Sequence, residues 1–448
     1  MKQTKILNFK KFLFDLKTKA LKPVIYRSHV EAEKELSSGQ IELLNFKKRK
    51  HIVNHAFKNT EFYQTKYNSF QKELEMLNEE DFQKLPPVTR DDLATNFEKF
   101  ISGGRTPSKK VSRKVSSSGS TGRPISVLHD TRFPYTVLQW RILSWWGVQP
   151  YDNQAFIYRY KRSFLKRLGN NLLWWPTQRI FLTGAEMNLN NVKHFVKQVN
   201  DLKPTLLQGY VDVVYEFALF LLDNDLKIHP PKMVWVTSAP LFENQRKTME
   251  AAFGAPVCDQ YGNTEVFTIA AECPNQDGLH IMHDAVHIEI VDDNNEPLPS
   301  GKTGKILITD LNNEIFPLIR YEIGDRGKLI GRKCSCPIPL PLMDNVRGRQ
   351  SVMLKTPSGL NVRSEHLTIL FEKFLNTVRE VQLLQNEDYS VELRYICYSQ
   401  DDSVLQEIEN ILRELVIKTR NEINITPHRV DELHTKNNKK PLIISNLA

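Results

Sequence analysis

At 448 residues, with 40% hydrophobic and 25% charged residues, the chain has the make-up of a folded protein too long for one ordinary domain. No uninterrupted apolar run approaches the roughly 18 residues of a membrane span, so no spanning helix is expected. The 61 Lys and Arg against 52 Asp and Glu leave a net charge of +9, which favours anionic partners. No zinc-finger spacing or RNA-binding aromatic motif is present, so nucleic acid is not an expected partner.

The N-terminus, MKQTKILNFKKFLFDLKTKALK, is broken by charge throughout and lacks a small-residue cleavage site. It does not read as a signal peptide, and a cytoplasmic location is expected. Two readings of it stay open. Leu7, Phe12, Leu13 and Leu16 lie opposite lysines, as in a helix resting peripherally on a membrane; alternatively the helix packs on the main domain and solvates a basic face. Residues 28–82 read as further helices, extending a helical segment over 1–82.

From about residue 130 to 310, short apolar runs alternate with helical patterns, which predicts a layered α/β domain. One unit is NLNNVKHFVKQVNDLKPTLLQGY, a helix with Val192, Phe195, Val196 and Val199 on one side and then a strand; PKMVWVTSAP is another buried strand. After NVRGRQ the pattern changes. SVMLKTPSGLNV predicts a hairpin turning at Pro357–Gly359, followed by a helix around Glu365–Phe374. EVQLLQ and VELRYICY read as strands, SVLQEIENILRELVIKT as a helix, and HRVDEL and PLIISN as strands. The expected organisation is a large α/β domain over 1–347 and a small α+β domain over 348–448.

Four segments carry chemistry. In SSSGSTGRP, Gly119 and Gly122 let the backbone approach an anion, and Ser117, Ser118, Ser120 and Thr121 supply hydroxyl donors. Arg123 adds a charged fork and Pro124 keeps the loop from forming a strand. Such a loop suits phosphate oxygens, although it lacks the Gly-Lys-Ser/Thr ending of the common P-loop; a flexible polar linker is the other reading. In DQYGNTEV, Tyr261 suits stacking on a base, Thr264 a phosphate contact and Glu265 a magnesium ion. RYEIGDRGKL offers Asp325 for two ribose hydroxyls, and VRGRQ offers Arg349 at the domain boundary.

Of five cysteines, Cys273, Cys334 and Cys336 lie near these motifs, with His280 between them in GLH. Cys-x-Cys with a further Cys and a His matches a tetrahedral zinc set, against the alternative of unrelated reduced thiols. Cys258 and Cys397 read as apolar strand residues. Five of six tryptophans fall in QWRILSWWGVQPY and NNLLWWPTQRI, where they either line an acyl pocket or serve packing.

Together and in this order, the segments resemble the adenylate-forming superfamily of acyl- and aryl-CoA synthetases. Within it they resemble the branch of phenylacetate–CoA ligase and the CapK-type proteins of capsular polysaccharide biosynthesis. SSGSTGRP is similar to that branch's phosphate loop SSGTTGKP, and YGNTE to its YGxSE/TE motif. The block from GLHIMHDAVHIEIVDD to FPLIRYEIGD resembles a long stretch particular to it. The likeness covers roughly residues 45–445.

The resemblance implies an enzyme that uses ATP and Mg²⁺ to turn a small carboxylic acid into an acyl-adenylate. The acyl group then passes to coenzyme A, or to a sugar or amine acceptor in surface polysaccharide synthesis. By carry-over, Ser117, Ser118, Ser120, Thr121 and Arg123 hold the β- and γ-phosphates, and Tyr261 packs on adenine. Thr264 meets the α-phosphate, Glu265 binds Mg²⁺, and Asp325 and Arg349 hold the ribose. The catalytic lysine falls in KNNKKPLIIS, at Lys439 or the neighbouring Lys440. Cys273, His280, Cys334 and Cys336 become a structural Zn²⁺ site. Two departures stand out: Asn438 replaces the usual glycine before the lysine, and Ser351 the usual hinge aspartate. They support the alternative of a catalytically degenerate nucleotide-binding scaffold in a polysaccharide assembly complex.

Overall fold

In the computed structural model, residues 2–32, 37–71, 77–105, 107–116, 125–159, 174–184, 187–344, 346, 353–363, 367, 370, 378–397, 402–434 and 442–447 are described. The chain forms two compact units, the larger drawn from residues 1–115 and 127–348 and the smaller from 116–126 and 349–448.

The larger unit opens with helices. Lys2–Leu21, Pro23–Ala32, Ser38–Asn59, Glu61–Lys66 and Glu79–Lys84 account for most of the segment expected to be helical. The first of them packs on the body of the unit through a side chain that the sequence pattern did not single out. Phe14 is buried against Trp140, with ring centroids 5.2 Å apart, and against Tyr151 at 5.8 Å. Phe12 and Leu16, read as the apolar face, point away from that contact and are exposed; Leu13 is half-buried, and the Leu7 side chain lies outside the described residues.

Strands β1 (Ser112–Ser116) and β2 (Ser126–Asp130) pair as a two-stranded sheet, and the Ser116 and Ser126 hydroxyls meet at 2.9 Å. The main sheet follows. β3 (Gln154–Tyr158), β4 (Arg179–Thr183), β5 (Leu206–Tyr210), β6 (Met233–Thr237) and β7 (Val257–Asn263) are parallel, with helices linking β4 to β5, β5 to β6 and β6 to β7. Their near-continuous apolar runs suit strands covered on both faces. Val192, Phe195, Val196 and Val199, from the amphipathic helix Leu189–Leu202, are buried in this core. Helices Val211–Asp223 and Glu243–Phe253 add Phe217 and Phe253.

From β7 the direction alternates. β8 (Phe267–Glu272) and β9 (Leu279–Ile281) are antiparallel additions. β10 (Val286–Val291), β11 (Gly304–Asp310) and β12 (Tyr321–Gly327) form a separate three-stranded antiparallel sheet. The chain then returns to the main sheet as β13 (Leu329–Ile330) and β14 (Leu342–Met343), giving the order β13-β14-β9-β8-β7-β6-β5-β3-β4. This is the layered α/β arrangement that the alternating pattern predicts.

In the smaller unit, β15 (Met353–Lys355) and β16 (Asn361–Arg363) make the expected hairpin, with Gly359 at φ 86° in the turn. β17 (Val378–Gln385) and β18 (Val391–Cys397) are antiparallel, flanked in parallel by β20 (Ile443–Ser445) and β19 (Ile425–Arg429). β19 begins before HRVDEL, three residues earlier than the predicted strand. Ile408, Ile411 and Leu415 of helix Asp402–Lys418 are buried, whereas Leu405 is exposed. Most of the helix expected around Glu365–Phe374 lies outside the described residues.

A buried ion pair fixes β7, the strand that carries the YGNTE motif. Arg246 Nη2 donates to both Glu272 oxygens at 2.7 and 2.9 Å, and its Nη1 donates to the Val257 carbonyl at 2.6 Å. Glu272 in turn accepts the Asp259 amide at 2.9 Å. Removing only the cation leaves a buried carboxylate without compensation. Arg246→Met should therefore lose about 3–5 kcal/mol in urea denaturation, and Arg246→Met/Glu272→Met should recover most of that loss.

Candidate active site

The YGNTE motif is the tip of the β7–β8 hairpin. Thr264, Glu265 and Val266 form its three-residue turn, closed by the Val266 amide donating to Asn263 Oδ1 at 2.7 Å. Phe267 takes up the left-handed conformation, φ 69°, where the chain rejoins the sheet. A side chain cannot replace the Gly262 hydrogen: a Cβ there would lie 1.9 Å from the Phe267 carbonyl oxygen. The motif's glycine is therefore dictated by the closeness of the returning strand. Ser238, just after the end of β6, also has a left-handed φ of 69°. The C-terminal ends of parallel strands are where open α/β sheets place their ligands.

Tyr261, on β7, donates its hydroxyl to Asp325 Oδ2 on β12 at 2.8 Å. Two residues 64 positions apart, on different sheets, are thus brought side by side. Arg320, just before β12, anchors that strand. Its Nε donates to Glu289 of β10 at 3.0 Å, its guanidinium to the Leu85 carbonyl, and its amide to Thr309 Oγ1 at 2.9 Å. Val88 extends the edge, accepting from the Glu322 amide at 2.8 Å and donating to the Arg320 carbonyl at 3.1 Å.

That docking delivers Arg90, which sequence reading missed. Thr89 and Asp92 form a capping box at the start of helix Arg90–Thr95, and Arg90 Nη1 reaches the buried Glu265 Oε1 at 3.4 Å. The Thr-Arg-Asp-Asp run signals a helix start, but nothing local ties it to residue 265. A long, monodentate contact leaves Glu265 with coordination capacity. Mg²⁺ is typically held by one or two carboxylates together with substrate phosphates, so the donor set fits that ion.

His129 of β2 was also missed. Its Nε2 lies 2.8 Å from the Thr264 carbonyl, which can only accept, so Nε2 carries the proton. Its Nδ1 is buried with no partner among the described residues, and its ring sits 4.4 Å from that of Phe267. Burial pushes its pKa down to about 4, with the Arg113 charge adding to the effect and the Thr264 bond opposing it.

The cysteine motif converges at the far edge of the main sheet. Sulfur and nitrogen atoms of Cys273, His280, Cys334 and Cys336 all lie within 4.8 Å of one another. Cys273 follows β8, His280 lies on β9, and the loop between β13 and β14 carries the other two. β14 pairs with β9 at Leu342 and His280, which holds that loop in place. The Cys273–Cys334 Sγ separation is 3.7 Å, against about 3.8 Å for the edge of a tetrahedron of Zn–S bonds. Cys336 Sγ is 3.3 Å from His280 Nε2, and His280 Nδ1 donates to the Leu340 carbonyl at 3.3 Å. The ring is thereby fixed in the tautomer whose free Nε2 lone pair faces the sulfurs. Burial pushes the Cys273 thiol up to about 12, so ionising it calls for a cation alongside. The donors fit zinc.

Ser117, Ser118, Gly119, Ser120, Thr121, Gly122, Arg123, Arg349, Ser351, Asn438, Lys439 and Lys440 lie outside the described residues. Among the tryptophans, Trp140 and Trp146 are buried packing residues. Trp146 donates Nε1 to the Glu272 carbonyl at 3.0 Å, and Trp145 packs edge-on to His280. Trp174 stacks under Arg179 at 3.5 Å, and Trp175 is exposed.

Because the folded pKa of His129 lies below its unfolded value of 6.5, its stabilisation is complete above about pH 6.5 and falls away as the pH drops through 4. His129→Gln cannot titrate there. The gap in urea midpoint between wild type and variant should be constant above pH 7 and shift in the variant's favour on acidification. A gap independent of pH would show that the imidazole is not held neutral.

Scanned against family models, the chain matches none. Among curated proteins, it is 23% identical to CapK of Staphylococcus aureus over 414 residues, 88% of this chain and 87% of that protein. It is 27% identical to phenylacetate–coenzyme A ligase of Escherichia coli over 365 residues, 78% of this chain and 80% of that one. A solved 2-hydroxyisobutyryl-CoA ligase, in complex with 2-HIB-AMP and CoA, shares the fold with a TM-score of 0.63 at 16% identity, over 93% of this chain and 91% of that one. In sequence the chain is similar to CapK and to phenylacetate–coenzyme A ligase, and it shares the fold of a 2-hydroxyisobutyryl-CoA ligase.

Proposed function

We propose that this protein is an adenylate-forming ligase that joins a carboxylic acid to AMP and then hands the acyl group to coenzyme A or to an amine or hydroxyl acceptor. The observation that carries the reading is the Tyr261–Asp325 hydrogen bond beside the Thr264–Glu265 turn. It sets an aromatic face and a carboxylate next to each other, as an adenosine requires: one for the base, the other for the ribose hydroxyls. Thr264 would contact the α-phosphate, and Arg349 would share the ribose with Asp325. Ser117, Ser118, Ser120, Thr121 and Arg123 would hold the β- and γ-phosphates.

In the first step a carboxylate oxygen attacks the α-phosphorus. The bond from that phosphorus to the bridging oxygen breaks, and pyrophosphate leaves. The barrier is dominated by the approach of one anion to another. Glu265 would hold Mg²⁺, which supplies charge neutralisation on the phosphates when bound. Arg90 keeps the Glu265 carboxylate aimed while remaining at the edge of contact. Lys439 would place its ammonium on the oxygens where charge develops. His129 steadies the turn through the Thr264 carbonyl.

For the acceptor, the likeness to CapK points to a sugar or amine of a surface polysaccharide, and the likeness to phenylacetate–CoA ligase to the thiol of coenzyme A. Cys273, His280, Cys334 and Cys336 would hold a structural zinc that ties the β13–β14 loop to β8 and β9.

Pyrophosphate exchange across a panel of carboxylic acids tests the activity. Glu265→Gln and Lys439→Ala should each slow exchange by about a hundredfold, the usual effect of losing one such charge-stabilising group. Unchanged exchange in both variants defeats the assignments, while ATP binding without exchange for any acid favours the scaffold reading. Elemental analysis of the purified protein should find zinc, and Cys336→Ser should lose it and melt at a lower temperature. A metal-free wild type with an unaltered melting point in Cys336→Ser would sink the zinc centre.

A further inference from the structure

The N-terminal helix leaves a feature that nucleotide chemistry does not use. Its inner face is fixed to the larger unit by Phe14 on Trp140, by Lys10 Nζ donating to Asn153 Oδ1 at 3.1 Å, and by Lys17 Nζ donating to the Trp175 carbonyl at 2.6 Å. These contacts turn the opposite face outward. That face carries Phe9, 61% exposed, Phe12, 61%, and Leu16, 57%, at spacings of three and four residues that line them up along one side. Leu21 and Val24, at the joint with helix Pro23–Ala32, are 67% and 46% exposed, and Trp175, beside Lys17, is 55% exposed. A folded protein rarely presents two phenylalanines and a leucine together to water without a use for them.

The charge around the stripe selects its occupant. Residues 1–22 contain seven lysines against one aspartate; with Lys10 and Lys17 on the inner face and the lone acid, Asp15, already paired with Lys11 at 2.8 Å, Lys2, Lys5, Lys19 and Lys22 remain to keep the segment positive. A second copy of the same face would bring two strongly positive surfaces together, whereas an anionic lipid surface complements both charge and apolarity. Among the described residues, no helix is long and apolar enough to cross a bilayer, so the helix would lie in the interface. We infer that the outward face of helix Lys2–Leu21 docks the protein on anionic membrane surfaces, with Phe9, Phe12 and Leu16 entering the acyl boundary and the lysines not engaged on the inner face meeting the headgroups. Each lysine close to such a surface raises partitioning about fivefold, and an apolar wedge supplies the second signal that stable attachment requires. This inference is independent of the ligase reading.

Co-sedimentation of the full chain with vesicles tests it. On phosphatidylcholine vesicles containing roughly 30 mol% phosphatidylglycerol at low salt, the wild type should bind, with little binding to pure phosphatidylcholine. Half-molar salt should weaken that binding. Phe9→Ser/Phe12→Ser/Leu16→Ser should reduce the partition coefficient at least about tenfold. Its melting point should be unchanged, because these side chains make no core. No binding to anionic vesicles, or equal binding by the triple variant, overturns the proposal. So does size-exclusion chromatography showing a dimeric wild type and a monomeric variant, which would mean that a second copy covers the stripe.

Discussion

The candidate nucleotide site depends on one hydrogen bond, from the Tyr261 hydroxyl to Asp325. It spans the end of the main sheet and the end of the three-stranded sheet, and neither partner has sequence neighbours that could bring the other near. Two constraints make it achievable. Gly262 lets β8 fold back against β7 without a Cβ in the way, so that Tyr261 sits at the hairpin's root. Arg320, buried and held by Glu289, Thr309 and Leu85, sets the height of β12 and hence of Asp325. An aromatic ring whose hydroxyl is already engaged by a carboxylate has little freedom to turn, which preorganises a flat surface for a base.

Three buried carboxylates around this site each have a guanidinium beside them. Glu272 has Arg246, Glu289 has Arg320, and Glu265 has Arg90. The pairs differ in closeness. The first two are tight and multidentate and belong to the framework, whereas Glu265 is held by one longer contact at 3.4 Å. A structural acid has its lone pairs filled, whereas Glu265 keeps some open. His129 behaves in the complementary way, staying neutral under burial so that its single N–H can serve the Thr264 carbonyl without adding charge to the turn.

The cysteine–histidine cluster does for the edge of the sheet what Arg320 does for the neighbouring one. β13 and β14 are two-residue strands whose connecting loop has little regular pairing of its own. Bringing Cys334 and Cys336 onto Cys273 and His280 closes that loop against β8 and β9. A metal-ligand clip across a long loop acts on stability chiefly by limiting what the unfolded segment can explore.

Much of this was legible in the chain itself. Alternation of apolar runs with helical periods fixed the α/β character, because a strand buried on both faces and a helix buried on one must each show their own period. Tyr261, Thr264, Glu265, Asp325 and the four metal-binding candidates were named from side-chain chemistry and motif order. What stayed hidden was partnership at a distance. Arg90 beside Glu265, His129 beneath Thr264 and Arg246 beneath β7 are ordinary residues in their own segments, and only the folding of remote elements gives them roles. The N-terminal helix shows the same limit from the other side: its sequence displays apolar residues and lysines, but which of them face inward was decided by Phe14 finding Trp140 and Tyr151. Local sequence determines which chemistry is on offer along each element; the tertiary structure alone decides which offers meet, because contact across tens of residues depends on packing that no single segment encodes.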